Sequence, residues 1–129
     1  MTEYGYQVEI PEGYDEAVVR TRLALRAEGF SVITEMHVGG ALGPQAGAER
    51  QYLIMGAWDA ATNSTTDSGL RVAVQIPCNV VVQENGSAAS VAVLDPEEDI
   101  EGAEEPVVLA AARARNALHR VLEKVAQPQ

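Results

Sequence analysis

Apolar and polar residues alternate from Glu3 to Ile10. Tyr4, Tyr6, Val8 and Ile10 fall on one side, and Glu3, Gly5, Gln7 and Glu9 on the other. A period of two is the mark of a half-buried strand, and Pro11 and Gly13 end it. The period then changes. Ala17, Val18, Thr21, Ala24 and Leu25 recur at helical spacing and predict a helix over Tyr14–Glu28, with Asp15 at its positive end. Gly29 suits the left-handed residue that closes a helix, and Phe30 the apolar contact that follows it.

Beyond Gly29 the pattern returns to strands. Ser31–Val38 is rich in β-branched residues, and Gly39–Gly47 reads as a glycine-rich connection. Gln51–Trp58 is apolar at both parities, as in a strand covered on both faces. Asp59–Gly69 is polar and turn-forming. Leu70–Gln83 is apolar but interrupted by Pro77, which marks a bulge, an edge or a strand start. Asn85-Gly86 is a hairpin signal, because both residues tolerate positive φ, and Ser87–Leu94 is the returning strand. An acidic stretch, Asp95–Glu105, leads to Pro106, a residue suited to the first helical position. Val107, Ala110, Ala111, Ala114, Leu118, Val121 and Val125 then form the buried stripe of a helix reaching about Ala126.

The predicted order is strand, helix, four or five strands, helix. Such segregation points to an α+β fold, an antiparallel-rich sheet with two helices packed on one face. The other face is left exposed or paired. Since Gln51–Trp58 is apolar on both sides, a homodimer burying that second face is the expected assembly.

Length and charge narrow the picture. A chain of 129 residues fits one domain, 1–129, large enough for a core. Nineteen acidic residues against nine basic give a net charge of −10. That field opposes nucleic acid and anionic membranes as partners. No apolar run approaches the ~18 residues of a membrane span. Residues Met1–Ile10 lack the basic and apolar regions of a secretory signal, so a cytoplasmic location is expected. One cysteine, Cys78, rules out an intramolecular disulfide and a cysteine-built zinc site.

Cys78, between Pro77 and Asn79, is the sharpest chemical candidate, as a reactive thiolate or a soft-metal ligand. No basic residue lies within six positions of it, so its default reading is that of a small core hydrophobe. Glu35 and His37 are two apart and share a strand face; with His119 they would make a mixed metal or acid–base set, against a default of a solvated strand end. The acidic run Glu97–Glu105 lacks the ligand alternation of a calcium loop. Gly39–Gly43 lacks the pattern of a phosphate loop. Tyr52, Ile54 and Trp58 fall on one face of their strand, where they serve as core or, with Pro77 and Asn79, form an apolar ligand site or interface.

The segment Ile76-Pro77-Cys78-Asn79-Val80-Val81-Val82, following Glu28-Gly29-Phe30 and Val32-Ile33-Thr34-Glu35 and closed by Asp95-Pro96, resembles the domain of unknown function 302 family. The resemblance runs from Tyr4 to about Ala126. It implies a TATA-binding-protein-like arrangement, strand–helix–four strands–helix, in a small soluble protein that is often homo-oligomeric, and it supplies no activity. Where the family commonly has Gly-Ala-Cys-Asn-Pro, this chain has Gly56-Ala57-Trp58-Asp59-Ala60, without the second cysteine. The resulting expectation is a non-enzymatic, homo-oligomeric ligand-binding or accessory protein without a cofactor. Thiol-redox or soft-metal chemistry at Cys78 is the alternative.

Overall fold

The computed structural model describes residues 5–39, 51–59, 78–97, 102 and 105–127. Along the chain run β1 (Gly5–Ile10), α1 (Tyr14–Ala27), β2 (Phe30–Val38), β3 (Tyr52–Asp59), β4 (Cys78–Asn85), β5 (Ala88–Leu94) and α2 (Glu105–Ala126). The strands form one sheet in the order β1-β5-β4-β3-β2, with every neighbouring pair antiparallel. This is the expected α+β architecture. The expected connection from Gly40 onward, the loop after Asp59 and the apolar stretch up to Pro77 lie outside the described residues.

The alternation in β3, β4 and β5 decides what sits inside. Leu53, Met55 and Ala57, then Cys78, Val80 and Val82, then Ala89, Val91 and Val93 are all buried on one face. Over them lie the apolar stripes of α1 and α2. Ala17, Val18, Ala24 and Leu25 come from α1, and Val107, Ala110, Ala111, Ala114, Leu118, Val121 and Val125 from α2. Both stripes are those predicted from helical spacing. Ala117 and Leu122 widen the second.

Ion pairs hold the helix layer together. Glu28, just past α1, receives the Arg120 Nε hydrogen bond at 2.8 Å and lies 3.5 Å from Lys124 Nζ, both on α2. The Arg120 bond, more than any other influence, keeps the Glu28 carboxyl below its ordinary pKa. Arg20 is buried at 5% exposure, although its position within α1 marks it only as polar. Its Nε reaches Glu16 at 2.8 Å, and its Nη1 donates to the Val125 carbonyl at 3.3 Å, a cation satisfying the last turn of α2.

Three local details differ from the sequence reading. The cap position of α1 is Gly13, at φ 108°, and no side chain caps it; Asp15 contributes only charge to the first turn. The hairpin loop is Gly86-Ser87, because Asn85 still pairs with Ala88, so Asn85 is the last residue of β4. Helix α2 starts one residue before Pro106. At the other end of α1, Gly29 takes φ 89° and Phe30 is buried, as the helix-stop pattern predicts.

Candidate functional site

No described helix lies on the opposite face of the sheet. Register defines its rows. Met36 opposes Ile54, Ile54 opposes Val81, Val81 opposes Ala92 and Ala92 opposes Gln7. A parallel row runs Val38, Tyr52, Gln83, Ser90 and Glu9. Thr34, Gly56 and Asn79 form a third, and Trp58 stands beyond it on the same face of β3. Met36 is 61% exposed, Leu94 47% and Trp58 37%, whereas Tyr52, Ile54, Asn79 and Val81 are half-buried.

The side chains of this face are almost without charge. Among its described residues only Glu9, on the edge strand β1, carries one. In a chain with twenty-eight acidic and basic residues (nineteen plus nine), such a surface is unusual. The predicted trio of Tyr52, Ile54 and Trp58 therefore lies together, with Asn79 opposite Gly56. Pro77 lies outside the described residues.

Met36 and Val81 complete the apolar row and were not singled out from sequence. Val81 is hidden in an apolar run in which both parities are hydrophobic. Met36 is disguised by a β-bulge: Val32 pairs with Ala57 and Thr34 with Gly56, so Ile33 is the extra residue. The alternation of β2 changes phase there. Gly56 has its own packing reason, since a Cβ at that position would collide with Thr34 Oγ1.

Cys78 begins β4 on the helix-covered face and is 3% exposed. Glu35 and His37 share the helix side of β2, as predicted, and the Glu35 carboxylate clamps Arg22 at 2.8 and 3.0 Å. His119 is not brought to them. Its ring meets Tyr6 edge-on at 4.3 Å on β1, the opposite edge of the sheet. Four strand spacings separate those edges, about 19 Å. Among the described residues, no group of three or more His, Cys, Asp or Glu is arranged to hold a metal ion.

Tyr14, at the start of α1, buries its hydroxyl without a hydrogen-bond partner among the described residues. Burial, reinforced by the Glu84 carboxylate, raises its pKa. No described helix is long and apolar enough to cross a membrane.

The comparisons with known proteins agree with this architecture. No curated protein matches the chain. A crystal structure described as an uncharacterized conserved protein DUF302 from Bacillus stearothermophilus is similar over 98% of this chain and 100% of that one. The two superpose with a TM-score of 0.75 at 21% sequence identity, a likeness of fold. The family profile of the domain of unknown function DUF302 matches residues 6–125, which reaches from β1 to α2, and the chain belongs to that family.

Proposed function

We propose that this DUF302 protein is a non-enzymatic cytoplasmic accessory domain that works as a homodimer, two copies meeting through their open sheet faces. The observation that carries the reading is the uncharged row Met36, Ile54, Val81, Ala92, flanked by Tyr52 and Trp58. A net charge of −10 drives copies apart over most of the surface. Burying an unpaired carboxylate in an interface carries a heavy desolvation penalty. Two copies therefore approach most easily where carboxylates are absent. Apolar area removed from water contributes roughly 25 cal/mol per Å² there. Stacked sheets pack with their strands nearly aligned, and a twofold axis lets one patch serve both copies.

Cys78 chemistry is the second reading, and its burial at 3% exposure weighs against it. A glutamate in the middle of the patch separates the interface from everything else. Ile54→Glu leaves the helix-covered core intact and places a charge at the centre of the proposed contact. Sedimentation equilibrium is expected to show a wild-type dimer and an Ile54→Glu monomer with an unchanged helical circular-dichroism signal. A wild-type protein that stays monomeric at high concentration, or a variant that dimerises as the wild type does, refutes the reading.

A further inference from the structure

A second site lies in a groove between α1 and the edge strand β2, and of the open-face rows it shares only Thr34. It encloses about 460 Å³ and is lined by Arg22, Arg26 and the β2 run from Phe30 to Glu35. That volume is within the range of small-molecule sites.

Its charge is distinctive. Arg20, Arg22, Arg115, Arg120 and Lys124 each have a glutamate within ion-pair distance. Arg26 has no carboxylate partner among the described residues, despite a twofold excess of acid in the chain. Arg113 shares that property, but it stands on α2 and does not line this groove. Among the described residues that line the groove, Glu35 neutralises Arg22, so the three charged groups sum to +1, the surplus resting on Arg26.

The apolar part comes from β2. Phe30 is buried, Val32 is half-buried, and Ile33, the bulge residue, is 50% exposed. Bulges re-aim side chains and break the even spacing of backbone groups that an added strand would need. The bulge thus favours a small molecule over a docked peptide strand.

We infer that this groove binds a small monocarboxylate with an apolar body, its carboxylate on the Arg26 guanidinium and its body against Val32 and Ile33. A carboxylate matches the guanidinium fork, and a dianion lacks a second uncommitted cation. The site is distinct from the centre of the sheet-face contact, since neither Ile54 nor Trp58 lines the groove.

The probes are hexanoate, acetate, inorganic phosphate and an alanine-rich tetrapeptide ending in leucine, titrated at low salt with amide NMR shifts as the readout. Hexanoate is expected to move the signals of Arg26, Val32 and Ile33 and to bind about tenfold more tightly than acetate, from its longer apolar chain. Arg26→Gln is expected to weaken hexanoate by about tenfold or more, with Arg26→Lys between the two. Because Arg26 is exposed, the unfolding midpoint of Arg26→Gln should equal that of the wild type. Hexanoate that fails to bind, or binds Arg26→Gln equally well, overturns the proposal. Phosphate as tight as hexanoate would mean a plain anion patch. A tetrapeptide about tenfold tighter than hexanoate would mean strand docking, and either result replaces the site proposed here.

Discussion

The two faces of this sheet are built from neighbouring residues of the same strands, yet their chemistry diverges. On the helix side β3 presents Leu53, Met55 and Ala57, all at 0% exposure. One residue along, on the open side, it presents Tyr52, Ile54 and Trp58, half-buried or exposed. A strand with only one covered face ordinarily alternates apolar with polar. Here the open side keeps its apolar residues and excludes charge, although 22% of the chain is charged. The helix face explains folding stability. The described residues give the open face no covering helix, and the proposed contact between copies rests on that difference.

Substitutions at adjacent positions should separate the two. Leu53→Ala removes a fully buried side chain and is expected to cost about 2–5 kcal/mol in urea unfolding. Ile54→Ala, measured at concentrations where the protein is monomeric, should cost less, because its side chain is only partly buried. Equal losses at both positions would mean the open face is as well covered as the other.

Gly56→Ala tests the open face more finely. The new methyl group meets Thr34 Oγ1, and overpacking of this kind costs about 1–3 kcal/mol. Thr34→Gly in the same chain should recover most of that loss in a thermal melt, whereas no recovery would place the strain elsewhere. Tyr14→Phe removes a buried hydroxyl with no described partner and should be neutral or slightly stabilising in the same melt. A clear loss would show that the hydroxyl is satisfied after all.

The smallest effect belongs to the ion pairs of the helix layer. The Glu28 pKa is lowered in the folded state, chiefly by its bond from Arg120. Its contribution is therefore present above the ordinary glutamate range and lost as pH falls through the folded value. Glu28→Gln should lower stability at neutral pH by up to about 1 kcal/mol, with the difference from wild type vanishing in acid. A pH-independent difference would mean that Glu28 acts through packing alone.

Much of this architecture was legible from periodicity. The stripe from Val107 to Val125 and the pair Gly29-Phe30 predicted burial and a helix stop, and both are found. Helical spacing works well because each stripe has a single interior to face. The hairpin was placed one residue early, since Asn and Gly both accept positive φ and composition does not say which begins the loop. The bulge at Ile33 left no distinct mark, because an extra residue in a β-branched run changes phase without changing composition. The site was legible only in part. Tyr52, Ile54 and Trp58 share a face through alternation within one strand, but Met36 and Val81 join them through register between strands, which residue pattern alone does not encode. Arg20 carries no mark in the sequence beyond its polar side chain. Its burial depends on the last turn of α2, 105 residues away along the chain.

Trp58 is the single tryptophan and stands on the open face, so its own emission reports whether that face is wet. The direct measurement is its emission maximum across a dilution series, with sedimentation run on the same samples. If two copies meet through this face, the maximum moves to longer wavelength as the dimer dissociates, and Ile54→Glu shows the long-wavelength maximum at every concentration. An emission maximum that stays fixed while sedimentation passes from dimer to monomer would contradict the account.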